Sequence, residues 1–326
     1  MIPRFSIIIP VKAVNDYVRE TVPHIQRLTH KSWELIILPN ELNADEWNDE
    51  RIHIVSSGPV GPAKKRDIGA GLARGNILVF LDDDSYPRQD LLNIAEQYFL
   101  DPLVVAIGGP AITPFNNDFW QRVSGAVFLS KFSGGVPERY VSVGKVRKIQ
   151  DWPSVNLMVR KEDFLAIGGF NSPYWPGEDT KLCLDLINKT RKHILYIPDL
   201  IVWHHRRSGL AAHLKQVGGY GLHRGYFARK YPETSRKPIY FLPSMFVLFF
   251  IFTMFIPLIF PMTRWFFLAG WVSYILALVK AWFDMHKYEK STVAYAAIGY
   301  TFLTHVWYGV RFIQGLFTPN LVSRLR

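Results

Sequence analysis

Two groups of carboxylates in this chain have residue types and spacing that could do chemistry. The first is Asp82-Asp83-Asp84, directly after the apolar run Leu78-Val79-Phe80-Leu81. Three adjacent carboxylates repel one another unless a cation or hydrogen-bond donors compensate. Hard divalent ions such as Mg2+ or Mn2+ take oxygen ligands of this kind, a few from protein and the rest from phosphates and water. In an extended chain Asp82 and Asp84 point to the same side, so one face is able to hold a metal and a diphosphate. The plainer reading is an acidic turn whose aspartate caps the helix after Pro87. The second group is Glu178-Asp179, after the turn signals Gly168-Gly169-Phe170-Asn171 and Pro176-Gly177. It stands at the start of a helical run, Thr180 to Ile187. There an acidic residue serves as a helix cap, or as a general base that takes the proton of an attacking hydroxyl.

Alternating strands and helices must position these groups. Phe5 to Pro10, Glu34 to Leu38, Ile52 to Val55, Ile77 to Leu81 and Val104 to Ile107 read as short buried strands. Asn15 to Leu28, Lys64 to Arg74 and Leu91 to Leu100 read as helices between them. This order predicts an α/β fold with a mostly parallel, Rossmann-like sheet and helices on both faces. Ligands of such sheets bind at the carboxyl ends of strands, where the aspartate triplet lies.

In this order, several stretches together resemble glycosyltransferase family 2, the inverting enzymes of the GT-A fold. They are Phe5-Ser6-Ile7-Ile8-Ile9-Pro10-Val11, Lys65-Arg66-Asp67-Ile68-Gly69, Phe80-Leu81-Asp82-Asp83-Asp84, Ile167-Gly168-Gly169-Phe170 and Gly177-Glu178-Asp179-Thr180. Pro198-Asp199 and His204-His205-Arg206 complete the set. The resemblance covers residues 5–225 and implies a nucleoside-diphosphate sugar donor with Mn2+ or Mg2+. It makes the triplet the family's D-x-D element. Asp84 is then a metal ligand, and Asp82 contacts the nucleotide ribose or supports the metal, with Asp83 beside them. Asp179 matches the catalytic base, and Glu178 is its neighbour. His204 matches a position that touches the metal or diphosphate in some relatives; a surface histidine is the plainer reading. Arg66 matches a basic residue near the nucleotide. Pro10 and Val11 belong to a loop that packs against the base, and Asn156 stands where relatives line the sugar pocket. A turn asparagine is the plainer reading of Asn156.

Two departures stand out. Many relatives end the second strand with two aspartates, one of which reads the nucleobase; this chain has Pro39-Asn40. Asn40 or Glu41 takes that place here, which weakens the case for uridine and leaves guanosine or deoxythymidine open. Asp185 stands where relatives often carry arginine, with no physical explanation in the sequence.

The chain has 326 residues, 49% of them hydrophobic, and a net charge of +11. That much apolar surface excludes intrinsic disorder. The lone Cys183 excludes an intramolecular disulfide framework. Residues 201–240 hold eight basic residues against Glu233 alone, +7 of the +11. An uncharged run from Pro238 to Thr263 follows, and its centre, Phe241 to Phe260, is long enough to cross a bilayer. A second segment, Trp265 to Val279, continues past Lys280 to Phe283 and completes an antiparallel hairpin. A third, Ser291 to Val310, is weaker. A basic cluster before a membrane hairpin fits an anionic cytoplasmic leaflet, and no secretory h-region precedes the first strand. The expectation is a GT-A catalytic domain at 1–225 facing the cytoplasm, a basic juxtamembrane connector at 226–240, two or three transmembrane helices in 241–317 and a basic tail at 318–326. Nucleic acid is not an expected partner, because the basic residues abut a membrane segment rather than interleave with aromatics on a folded face.

Gln216-Val217-Gly218-Gly219-Tyr220 lacks the Arg-Trp of processive synthases, which favours transfer of one sugar. A general base is needed for a hydroxyl acceptor and not for an ionised phosphate. The Glu178-Asp179 pair therefore favours a lipid-linked saccharide or other glycan over polyprenyl phosphate, which stays as the alternative. A membrane-tethered, non-catalytic sugar-nucleotide binder is the alternative from another class.

Overall fold

The six residues Phe5–Pro10 form strand β1, buried along its whole length and paired in parallel on both sides. The computed structural model describes residues 2–42 and 47–321. After β1 come α1 (Asp16–Gln26), β2 (Trp33–Leu38), β3 (Ile52–Ile54), α2 (Pro62–Leu72), β4 (Ile77–Leu81), β5 (Ser85–Pro87) and α3 (Leu91–Tyr98). Then follow β6 (Val104–Gly108), β7 (Ala111–Ile112), α4 (Phe119–Ala126), β8 (Arg147–Ile149), β9 (Asn156–Arg160), α5 (Lys161–Ala166) and α6 (Glu178–Thr190). The chain continues through β10 (His193–Tyr196), β11 (Val202–His204), α7 (Leu210–Lys230), α8 (Pro232–Ser235), α9 (Pro238–Ile259), α10 (Arg264–His286) and α11 (Ser291–Phe317).

The chain divides into two compact units, one of residues up to 114 with 141–205, the other of 115–140 with 206–321. The expected boundary at residue 225 thus falls inside α7, and the segment 115–140 belongs with the C-terminal helices.

The first unit is an eight-stranded sheet in the order β3-β2-β1-β4-β9-β6-β10-β8, with a second sheet of β5-β11-β7. The pairs β3-β2, β2-β1, β1-β4 and β6-β10 are parallel; β9 runs antiparallel to both β4 and β6, and β8 is antiparallel to β10. This is a mixed, parallel-rich α/β sheet of the GT-A type. Alternation along β1 sends Phe5, Ile7 and Ile9 to the apolar layer that contains α1 and α3, and Ile8 to the opposite layer with α2 and α5. Both faces are covered, which explains why the strand reads as a continuous β-branched run. Each fully buried isoleucine contributes roughly 1.5–3 kcal/mol.

Gly69 sets how closely α2 lies on the sheet. A Cβ there would fall 2.6 Å from Ile8 Cγ2 and 2.8 Å from Leu38 Cδ1. Glycine in a helix interior costs about 1 kcal/mol, and here it lets α2 rest directly on β1 and β2.

In the second unit, α7 and α11 pack backbone to backbone. A Cβ on Gly225 would sit 2.0 Å from the Phe312 carbonyl oxygen, and one on Gly315 would sit 2.1 Å from that of Leu222. Helices α9 and α10 form an antiparallel hairpin, with Phe246 stacked on Tyr274 and Phe249 against Phe267. Among the described residues, two segments are long and apolar enough to cross a membrane, Pro238–Ile259 and Pro261–His286. Helix α11 is not one of them. It buries Ala294, Ala297, Thr304, Gly309 and Phe312 among its neighbours, and Phe312 meets Phe241 of α9.

Candidate metal centre

Strand β4 carries the aspartate triplet to the edge of the sheet. The backbone turns at once: Ser85 donates its N–H to the Asp82 carbonyl at 3.2 Å and its hydroxyl to the same oxygen at 2.9 Å. The turn starts β5, which pairs antiparallel with β11 in the register Ser85 opposite His204. The His205 N–H donates to the Asp84 carbonyl at 2.9 Å. Residues 115 to 119 positions apart in sequence are thus fixed side by side by a ladder of three residues per strand.

The result is a cluster of donors. Ligand atoms of Asp82, Asp84 and His204 all lie within 4.8 Å of one another. His204 Nε2 is 3.0 Å from Asp84 Oδ1, and Asp84 is only 4% exposed. Two carboxylate oxygens and one imidazole nitrogen suit Mn2+ or Mg2+. Asp83 turns elsewhere. Its Oδ2 accepts from Asn15 Nδ2 at 2.8 Å, while Asn15 Oδ1 accepts from the Val18 N–H at the start of α1.

Three consecutive residues of α2 tie the surroundings together. Lys65 is buried, and its Nζ donates to the carbonyls of Val11 at 2.6 Å and Leu38 at 3.1 Å and to Asn40 Oδ1 at 2.7 Å. Burial pulls this amine down to about 8, with the Asp83 charge acting the other way. Arg66 is 3% exposed and reaches Asp82 Oδ1 at 2.5 Å and Glu178 Oε1 at 3.2 Å. It also lies over the Phe170 ring, 5.5 Å from the centroid. Its Nε is buried with no hydrogen-bond partner among the described residues. Asp67 accepts the N–H groups of Phe170 at 2.8 Å and Asn171 at 3.3 Å, which fixes the turn at Gly168 and Gly169. Burial raises the Asp67 carboxyl above its usual range, against those two donors.

Helix α6 begins at the second acidic pair. Gly177, at φ 111°, makes the left-handed approach that a side chain would resist. Glu178 is buried and Asp179 is partly exposed. Burial, and next the Asp179 carboxylate, push the Glu178 carboxyl well above the usual range, and Arg66 acts against them. Asp179 Oδ1 accepts the Thr180 N–H at 2.8 Å, which leaves it at the exposed side of the helix start.

The other sequence-derived residues fall in three places. Pro10 and Val11 are buried where β1 ends, and Val11 is held through its carbonyl by Lys65. Asn40 stands at the end of β2 with its Oδ1 engaged by Lys65. Asn156 is fully buried opposite Leu81, and its Nδ2 donates to the carbonyls of Leu200 at 2.7 Å and Pro110 at 3.2 Å. That geometry braces the crossing of two loops and presents no side-chain surface to a sugar.

Sequence reasoning assigned no role to Lys65, Asp67 or Asn15. Four charged residues in a row, Lys64 to Asp67, on a helix that starts at Pro62 and must lie on an apolar sheet were the available signal, since buried charges require partners. Asn15 opens the helical run Asn15 to Leu28, and nothing near it in sequence signals its contact with Asp83.

Comparison with known proteins bears on this geometry. The sequence pattern of glycosyl transferase family 2 matches residues 6–165. A pre-mycofactocin glycosyltransferase of Mycobacterium tuberculosis is 26% identical over 175 residues, 54% of this chain and 36% of that protein. TuaG of Bacillus subtilis, for which a role as a teichuronic acid biosynthesis glycosyltransferase has been proposed, is 30% identical over 108 residues, 30% of this chain and 43% of that protein. The matched region thus spans less than half the length of either relative. Among solved structures, the mannosyltransferase PcManGT from Pyrobaculum calidifontis, in complex with GDP-Man and Mn2+, superposes with a TM-score of 0.58 at 16% identity. The superposition covers 98% of this chain and 89% of that one, so the two share a fold.

Proposed function

The chain belongs to glycosyl transferase family 2, and from that premise we propose that it is a membrane-bound, inverting glycosyltransferase. It moves one sugar from a nucleoside-diphosphate sugar to a hydroxyl of a lipid-linked saccharide or other glycan. The observation that carries this reading is the cluster of Asp82, Asp84 and His204 at the carboxyl end of β4. The PcManGT structure, with GDP-Man and Mn2+ bound on the same fold, is consistent with it.

In this reading Asp82, Asp84 and His204 hold Mn2+ or Mg2+. Bound there, the ion would offset the charge that builds on the leaving nucleoside diphosphate. Arg66 lies behind Asp82, keeps that carboxylate oriented and adds positive charge near the diphosphate. Lys65 fixes the ends of β1 and β2, so that Pro10, Val11 and Asn40 form a rigid floor for the nucleobase. Asp179 is the base: it takes the proton of the acceptor hydroxyl as the oxygen attacks the anomeric carbon opposite the leaving group. Glu178 stays buried against Arg66 and positions Asp179 through the first turn of α6. The catalytic domain faces the cytoplasm, and the α9–α10 hairpin enters the membrane, as the basic residues preceding it favour.

A nucleotide-sugar panel tests the reading. The detergent-solubilised full chain, supplied with Mn2+, is expected to melt higher with one nucleoside-diphosphate sugar than with the rest. That donor should then be consumed when a lipid-linked glycan is added. Transfer to polyprenyl phosphate alone would overturn the hydroxyl acceptor, and a bound donor never transferred to any acceptor would leave a sugar-nucleotide binder.

A further inference from the structure

In the second unit, a cleft of about 520 Å3 opens between the start of α4 and the α10–α11 turn. It is lined by Phe115, Arg122 and residues 286–290. None of these belongs to the metal centre.

Its charge is positive and unspent. Glu289 is consumed by Arg122, whose Nε lies 3.0 Å from Oε2. Asp284 is shared between Lys280 and Lys287, the latter at 3.5 Å. Lys290 makes no ion pair among the described residues, so Lys287 and Lys290 leave a surplus over the cleft.

Its walls are aromatic. Phe115 is 78% exposed and Tyr288 42% exposed, and Phe119 and Trp120 continue the strip at 42% and 49%. Exposed aromatics of this size are costly to leave in water and are enriched where protein meets the headgroup layer. The cleft lies at the end of α10, the second of the two apolar helices, away from the turn that joins α9 to α10. A soluble anion has no use for the aromatic wall, and a purely apolar partner has none for the lysines.

We propose that this cleft binds the phosphate group of a membrane lipid, with Lys287 and Lys290 on the phosphate and Phe115 and Tyr288 against the glycerol and first acyl carbons. The source of the phosphate rests on the membrane reading of α9 and α10, which is tested separately by whether the full chain needs detergent to stay in solution.

The probes are dihexanoylphosphatidylglycerol, dihexanoylglycerol and inorganic phosphate, each titrated against the full chain in mild detergent and followed by native mass spectrometry. Phosphatidylglycerol is expected to bind roughly tenfold or more tightly than either of the others. Lys287→Glu with Lys290→Glu is expected to remove that preference, and Phe115→Ala to weaken phosphatidylglycerol but not inorganic phosphate. Both lysines are exposed, so the fold should survive; if the double variant melts lower than wild type, Lys287→Gln with Lys290→Gln replaces it. Equal binding of dihexanoylglycerol, equal binding of inorganic phosphate, or unchanged affinity in the lysine variants would each overturn the proposal.

Discussion

Arg66 joins the two acidic motifs: one guanidinium nitrogen is 2.5 Å from Asp82 and another 3.2 Å from Glu178. The carboxylates lie at the end of β4 and the start of α6, nearly a hundred residues apart, yet they share one cation. Removing it takes away the cation that holds both groups, and the Glu178 carboxyl, already pushed up by burial and by Asp179, moves further towards its neutral form. Arg66→Ala is expected to cost about 1–3 kcal/mol of stability, from the lost hydrogen bonds to Asp82 and Glu178. Glu178→Gln should cost little further in that background, because without Arg66 the carboxyl is already neutral, whereas in the wild type it removes a partner of the guanidinium. Denaturant melts of the wild type, both single variants and the double variant check this coupling.

The contact between α7 and α11 should tolerate nothing larger than glycine at its centre. A Cβ on Gly225 would meet the Phe312 carbonyl oxygen at 2.0 Å, and backbone cannot yield as a side-chain tip can. Gly225→Ala is expected to destabilise by about 1–3 kcal/mol. Gly299, where a Cβ meets nothing within 4 Å, is the control. Thermal melts of the two alanine variants should separate clearly.

His213 on α7 sets an acid limit for the second unit. It is fully buried between Ser124, at 2.7 Å from Nδ1, and Thr304, at 2.8 Å from Nε2. Burial pulls its pKa from 6.5 down to about 4. The neutral ring is therefore favoured in the folded state, while the unfolded chain takes up the proton below 6.5. Stability from this residue is full above that pH and is lost as pH falls towards 4, on the order of 3 kcal/mol in all. His213→Gln should be less stable at neutral pH and should show a flatter decline between those limits, read from melting temperature against pH.

Much of this arrangement was legible in the sequence, for reasons visible in particular residues. The run Phe5–Pro10 is apolar on both faces because both faces are covered, and Asp82–Asp84 are readable as a site because they end an apolar strand. What was hidden depended on distant pairing. β5, β7 and β11 are two or three residues long, too short for any periodic signal, yet the register Ser85 opposite His204 brings the histidine to Asp84. Asn156 was expected at a sugar pocket, and its complete burial follows from lying in β9 between two neighbouring strands. Likewise nothing local in 115–140 announces that it packs with helices more than 150 residues later, through Arg122 to Glu289 and Ser130 to Asp284.

The metal centre should behave as three donors of unequal weight. Chelation is expected to abolish transfer, and added Mn2+ or Mg2+ to restore it. Asp84→Ala should remain inactive at any metal concentration. His204→Ala should need more metal for the same rate, since two carboxylates remain. A metal titration of each variant separates the cases, and full activity of the wild type in chelator would remove the metal from the mechanism.

The most direct measurement compares Asp179→Asn with wild type in both donor binding and sugar transfer. Asp179 is the partly exposed acid of the pair, while Glu178 is buried against Arg66. The expected result is unchanged donor affinity with turnover lower by about 10²- to 10⁴-fold. Turnover equal to wild type would contradict the role of Asp179 as the base for a hydroxyl acceptor.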